Sequence, residues 1–162
     1  MEKTAAVHNI EPVYDKNSRI LILGSFPSVR SREERFFYAF PQNRFWRVLS
    51  RIYGEDVPLT VPQKKAFLLK NRTAVWDVVK SCDIIGSDDT SISDVVPNDI
   101  GMILSAADIR TIYTNGTKAY NMYNKYIKPI TGREAVKLPS TSPANAAYSL
   151  DRLCESWKII TE

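Results

Sequence analysis

Three short segments hold most of the side chains able to do chemistry in this 162-residue chain. The first is Gly24-Ser25-Phe26-Pro27-Ser28. Gly24 lets a ligand approach the backbone closely, and Pro27 fixes the direction of the chain. Ser28 and the neighbouring amides can contact a phosphate or the edge of a base, although a purely structural loop would read the same way. The second runs from Tyr38 through Phe40, Pro41, Gln42 and Asn43 to Arg44, Phe45 and Trp46. Aromatic rings beside an amide pair suit a flat heterocycle, with a ring stacking on its face and an amide reading its edge. Asn43 also stands where a helix N-cap is needed, and Asn is among the best caps. Phe45 and Trp46 read as core. The third segment is Leu138-Pro139-Ser140-Thr141-Ser142-Pro143-Ala144-Asn145. Ser142 followed by Pro143 is a helix start, and three successive hydroxyls at such a start could equally cradle an anion.

None of these segments contains a carboxylate or a histidine. The Asn43 amide is not basic at neutral pH, so it can only orient water or hydrogen-bond a ligand. Asp77 is the nearest carboxylate candidate, at the end of a predicted strand, with a structural role as its alternative. Asp88 and Asp89 fall in a polar stretch and read as solvated. The lone His8 reads as uninvolved in catalysis. Arg30, Arg32, Arg35, Arg44 and Arg47 could form a rim for a phosphate backbone or simply a solvated face.

Elements that could position these segments are legible. Arg19–Leu23 is a short apolar run ending at Gly24, the pattern of a buried parallel strand. From Asn43 onward, Phe45, Val48, Leu49, Ile52 and Tyr53 share one helical face, ended by Gly54. Pro62 opens a second helix to about Lys70, preceded by Thr60 or Val61. Thr73–Asp77 reads as a strand, Ser81–Ser93 as a long loop, and Asn98 as the cap of a helix carrying Ile100, Ile103, Leu104 and Ala107. Ile109–Thr114 is a further strand, stopped by Asn115-Gly116. A helix bearing Ala119, Met122, Tyr123, Tyr126 and Ile127 follows, then a strand over Ala135–Leu138. The last helix starts at Ser142-Pro143, with Ala147, Leu150, Leu153, Cys154 and Trp157 inward. Alternating strands and helices imply a three-layer α/β/α sandwich around a short, mostly parallel sheet. Ligands bind beyond the carboxyl ends of such strands. Gly24–Ser28, Asn115–Thr117 and Pro139–Asn145 all follow strand ends, so the site should lie where they converge.

Composition narrows the classes. Hydrophobic residues make up 44% and charged residues 25%, which fits one soluble domain over residues 1–162, with 1–17 as an irregular lead-in. No stretch reaches the ~20 apolar residues of a membrane span, and the N-terminus lacks a signal-peptide pattern, so the expected compartment is the cytoplasm. Cys82 and Cys154 are too few for an iron–sulfur cluster or a Cys-rich zinc site, so no metal or other cofactor is expected. A net charge of +4 permits a polyanionic partner without requiring one. No Gly-x-Gly-x-x-Gly or Gly-Lys-Ser/Thr phosphate loop occurs, which argues against a nucleotide-binding α/β protein. Nothing points to an obligate oligomer, so a monomer is expected.

Taken together, Gly24–Ser28, Tyr38 with Pro41-Gln-Asn-Arg-Phe-Trp46, Asn115-Gly116 and Leu138-Pro-Ser-Thr-Ser-Pro-Ala-Asn145 resemble the uracil-DNA glycosylase superfamily, most closely its DNA-deoxyinosine (hypoxanthine-DNA) glycosylase branch. Val75-Trp-Asp-Val-Val79 extends the likeness, which spans most of residues 18–158. The resemblance implies a monofunctional enzyme that hydrolyses the N-glycosidic bond of a flipped, deaminated base in DNA, with hypoxanthine as the first choice and uracil as the alternative. It implies base contacts from Gly24, Ser25, Phe26, Tyr38 and Asn115. It places DNA contacts at Ser28, Ser140, Thr141, Ser142, Pro143, Ala144 and Asn145. The superfamily's water-positioning Asn falls where this chain has Phe26, so the catalytic role would pass to Asn43. Phe40 replaces an expected His. The missing Asn at Phe26 also leaves open a non-catalytic nucleic-acid-binding module. With no carboxylate in the three segments, the bond would break dissociatively, the base leaving first.

Replacing Asn43 by Ala separates two of these readings. A cap alone predicts a loss of about 1 kcal/mol in stability with turnover largely kept. A catalytic Asn43 predicts a large loss of turnover with folding intact, read by a melt and a single-turnover assay on the same sample.

Overall fold

The computed structural model describes residues 2–162. Its centre is a four-stranded parallel sheet made of β2 (Ile20–Gly24), β3 (Thr73–Asp77), β6 (Thr111–Asn115) and β7 (Ala135–Leu138), in the order β3-β2-β6-β7. Every residue of β3 is buried, and Leu21, Ile22 and Leu23 of β2 are wholly sealed. That is why these strands read as continuous apolar runs. Helices α1 (Val29–Glu34), α2 (Phe45–Tyr53) and α3 (Val61–Lys70) fill the connection from β2 to β3. Helix α4 (Ile100–Ala106) leads into β6. Helix α5 (Thr117–Met122) continues through a π-helical turn, Tyr123–Ile127, into α6 (Lys128–Thr131) and then β7. Helix α7 (Leu150–Trp157) closes the chain and packs on α2. The sequence predicts this α/β frame correctly, and of the two residues it offers before α3 the cap is Thr60, which forms a capping box with Gln63.

Four local expectations fail for physical reasons. Residues 1–17 are not all irregular, because β1 (Thr4–Val7) pairs antiparallel with β4 (Val79–Ile85). Ser81–Ser93 is no loop: β4 (Val79–Ile85) and β5 (Asp88–Pro97) form a hairpin turned at Gly86. Repeated register shifts along this hairpin break the two-residue alternation that would have revealed it. The last helix begins at Leu150 with Ser149 as its cap, not at Ser142-Pro143. Nor does Asn98 cap α4. Its amide donates to the carbonyls of Asp77 and Val79, fixing the bend where the chain leaves β3 for β4.

The carboxyl ends of the parallel strands line up. Gly24 is in register with Asp77, and Asn115 with Leu138. Just beyond, Gly116 adopts φ +94°, and a Cβ there would meet the Ser140 Cβ at 3.1 Å. Gly116→Ala should therefore cost about 1 kcal/mol or more, seen as a lower denaturant midpoint with an unchanged slope.

Candidate active site

A cleft of about 520 Å³ opens at these strand ends. The three segments singled out by sequence all line it: Gly24–Ser28, Tyr38 with Phe40 and Asn43, and Ser140–Ala144, joined by Asn115. Asn145 lies just outside the lining, its amide donating to the Ser140 carbonyl.

Asn43 is held by its oxygen. Oδ1 accepts from the Phe45 amide at 2.9 Å and from the Thr141 hydroxyl at 2.8 Å. The Phe45 N–H can only donate, so the atom facing it must be the oxygen. The Nδ2 group is thus left free to donate into the cleft. Arg44 rather than Asn43 is the N-cap residue of α2, but the Asn43 oxygen still accepts from the Phe45 amide, so Asn43 supports the helix start and presents a donor at the same time. Because the oxygen is already committed twice, the arrangement favours hydrogen-bonding a carbonyl over holding a water.

Thr141 is fully buried and links the segments. Its hydroxyl accepts from Asn115 Nδ2 and its amide donates to Asn115 Oδ1, both at 3.0 Å. Thr141 and Asn115 thereby hold each other in place, with the Thr141 hydroxyl proton spent on Asn43 and a second Asn115 Nδ2 hydrogen left over. Arg44, a candidate for the basic rim, turns inward instead. Its guanidinium donates to the carbonyls of Thr141, Ser142, Asn145 and Tyr148. No helix N-terminus exists at Ser142, so the predicted anion cradle is absent in that form. The Ser140 and Ser142 hydroxyls accept from the amides of Ser142 and Ala144 within the loop. Pro143 and Ala144 are exposed at its tip. The Ser28 hydroxyl is likewise committed, capping α1 through the Ser31 amide and donating to the Ser31 hydroxyl.

Tyr38 sits in the left-handed region at φ +52°, uncommon for a bulky residue. Its ring stacks on Phe45 with centroids 3.9 Å apart. Its hydroxyl is buried without a hydrogen-bond partner among the described residues. Asn115 lies near that hydroxyl, and only one of its two Nδ2 hydrogens is used by Thr141. Burial, and then the charge of Asp77, push the Tyr38 phenol far above its ordinary pKa, so it stays a neutral donor. Gly24 is required here by contact: a Cβ would fall 2.3 Å from Asp77 Oδ1 and 3.0 Å from the Tyr38 hydroxyl. Phe26 is 7% exposed and packs between the His8 ring and the Arg32 guanidinium, an apolar wall of the cleft. Phe40 is 43% exposed at the mouth.

Three groups enter the site from outside the motifs. Asp77 reaches it from the end of β3, and its Oδ2 lies 2.8 Å from His8 Nε2. His8 Nδ1 accepts from the Ile10 amide, so Nε2 carries the proton and donates to Asp77. The two side chains are only 2% and 5% exposed. Asp89, at the start of β5, accepts from the Ser25 hydroxyl at 2.8 Å. Burial raises the Asp89 pKa most, Ser25 opposes this, and the charge of Asp77 adds to the rise. The solvated role expected of Asp89 is therefore wrong, while Asp88 is exposed as expected. The buried His8 side chain does not line the cleft but backs Asp77, one of the residues that do. Only the strand hairpin β4–β5 and the pairing of β1 with β4 bring these residues in, and neither leaves a local motif. Among the described residues no cluster of three or more His, Cys, Asp or Glu could hold a metal ion.

A cleft at the carboxyl ends of parallel strands is the ligand-binding place of an open α/β protein, and sequence comparison narrows the class. The profile of the uracil DNA glycosylase superfamily matches residues 11–161, and the chain belongs to that superfamily. It is 38% identical over 150 residues to a hypoxanthine DNA glycosylase of Methanosarcina acetivorans, covering 91% of this chain and 93% of the relative. A protein of the same name from Methanosarcina barkeri is 36% identical over 136 residues, covering 83% and 85%. A solution NMR structure from Methanosarcina acetivorans, described as a candidate uracil DNA glycosylase, superposes with a TM-score of 0.81 at 34% identity. That match covers 97% of this chain and 96% of the other.

The raised pKa of Asp89 has a signed consequence. An unfolded Asp89 ionises near the usual carboxylate value, whereas the folded one holds its proton to higher pH. Its contribution to stability is full below the unfolded pKa and lost as pH rises through the folded one. Asp89→Asn should therefore gain in melting temperature relative to the wild type as pH is raised from 4 to 7, with little difference at the acid end.

Proposed function

We propose that this chain is a monofunctional DNA glycosylase that removes hypoxanthine from deoxyinosine and leaves an abasic site. In this reading it acts as a monomer without a cofactor, in the cytoplasm. No helix among the described residues is long and apolar enough to cross a membrane. The observation that carries the substrate is the pairing of donors and an acceptor in one cleft. Asn43 Nδ2 and the Tyr38 hydroxyl can donate, while Asp77 Oδ1 has no hydrogen-bond partner among the described residues. Deamination of adenine turns an amino group into a carbonyl and a ring nitrogen acceptor into an N–H donor. A donor beside a carboxylate acceptor matches that new edge and opposes the adenine one. The names of the Methanosarcina relatives point the same way.

In this reading the Tyr38 ring, backed by Phe45, stacks on the flipped base. Phe26 excludes water from the opposite wall and cannot position any. Mismatched or deaminated pairs are weak, so flipping costs at most a few kcal/mol. Uracil offers the same carbonyl and N–H edge, so it is the control substrate.

Pure protein, with chelator present, should convert duplexes carrying a single inosine to alkali-labile products, faster than duplexes carrying uracil or xanthine. Intact DNA on all three would defeat the enzyme reading and leave a non-catalytic binding module. Faster release of uracil than of hypoxanthine would defeat the substrate assignment alone.

A further inference from the structure

We infer that Asp89 is the general acid of this cleft, giving its proton to the departing purine, with Asp77 as its charged neighbour. The inference rests on the hypoxanthine reading above.

Purine release needs relief of the negative charge that builds up on the ring as the C1′–N9 bond breaks. The sequence motifs offer only amides and hydroxyls for this. The structure adds two carboxyl groups on either side of the Gly24-Ser25 turn, both among the cleft-lining residues. They are held differently. Asp77 Oδ2 accepts a hydrogen bond from His8 Nε2–H. Asp89 Oδ2 receives the Ser25 hydroxyl proton, and its Oδ1 makes no bond among the described residues. Burial raises the Asp89 pKa, and the charge of Asp77 adds to the rise, so Asp89 keeps its proton to higher pH than an ordinary carboxyl group, and its free oxygen can carry it.

The groups that bear on Asp89 come from every neighbouring element. Asp77 of β3 and Asp88 of its own strand raise its pKa, Lys118 of α5 and the Ser25 hydroxyl lower it, and the neutral Tyr38 and Cys82 lie close by. In the step itself, the C1′–N9 electron pair passes to the purine as Asp89 gives its proton to N7 or N3. Water then adds to C1′ and returns a proton to the Asp89 carboxylate. The products are neutral hypoxanthine and the abasic sugar, and the enzyme is restored. A pyrimidine such as uracil leaves as a stabilised anion and has less need of the acid.

The test is single-turnover cleavage of an inosine duplex across pH 5 to 9, with uracil duplex alongside. The wild type should lose rate on inosine as Asp89 ionises. Asp89→Asn, which is isosteric, should slow inosine release about a hundredfold or more, flatten the alkaline limb, and spare uracil by comparison. Ser25→Ala removes a bond that lowers the Asp89 pKa, so the limb should move to higher pH. Asp77→Asn removes a neighbouring charge, so the limb should move to lower pH at whatever rate remains. A merely structural Asp89 would move none of these limbs. Asp89→Asn within threefold of the wild type on inosine, or an unchanged limb in that variant, overturns the proposal. A wild type inactive on inosine defeats the hypoxanthine reading, and this proposal with it.

Discussion

The site depends on one half-buried side chain, the Arg44 guanidinium, and on the carbonyls it ties together. Residues 139–149 form no helix or strand, so their backbone groups have few partners of their own. Arg44 answers four of those carbonyls from the first position before α2. Its own amide adds a further bond to the Thr141 carbonyl. Charge-assisted bonds of this kind contribute roughly 1.5–3 kcal/mol each when the alternative is a buried, unpaired carbonyl. The start of α2 and the loop after β7 thereby become one unit. Trp157 seals it from below, its indole N–H donating to the Pro139 carbonyl while its ring meets Phe45 edge-on. Asn43 precedes Arg44 in the chain and bonds Thr141 in that loop, so the clamp also sets where the Asn43 amide points.

Against that rigid frame the cleft concentrates features that cost stability. Tyr38 holds a left-handed backbone and an unpartnered hydroxyl. Asp77 and Asp89 bring two carboxyl groups into poorly solvated surroundings. Gly24 has no room for even a methyl group. Each is unfavourable for folding alone, and their convergence on one cleft is the usual mark of a site kept for binding and chemistry. The sealed strands β2 and β3 and the packing of α2 on α7 supply the offset.

The sequence made the parallel frame legible because its strands are short, continuous and apolar, and because helix faces such as Phe45-Val48-Leu49 repeat at helical spacing. It placed Thr141 and Asn115 in one site because each follows a strand end, and Tyr38 and Asn43 through the family resemblance. It hid Asp89 and His8 for a different reason. Asp89 lies on an edge hairpin rich in Ser and Asp, where exposed polar residues and register shifts blur the alternation. His8 reaches the site only because β1 pairs with β4, a contact about 75 residues away in sequence. It also hid the inward turn of Arg44, since an arginine flanked by aromatic residues looks the same whether it clamps a loop or faces a phosphate. The Ser142-Pro143 pair misled because a good helix start was spent on a turn, and the helix waited for Ser149.

The substitution at Phe26 draws these points together. An Asn at that place could have held a water within the first motif. A phenylalanine, packed by His8 and Arg32, makes the wall apolar and removes that option. Polar chemistry is then available only from what faces the wall: the Asn43 amide, the Tyr38 hydroxyl and the two carboxyl groups. A dry wall also lowers the local dielectric, which strengthens each of those remaining interactions and raises the cost of charging Asp89. Loss of the motif residue therefore does not by itself argue for loss of activity. It shifts the work from a water-binding amide at the end of β2 to acid–base groups delivered by β3 and β5, and such a site favours a leaving group that gains from a proton.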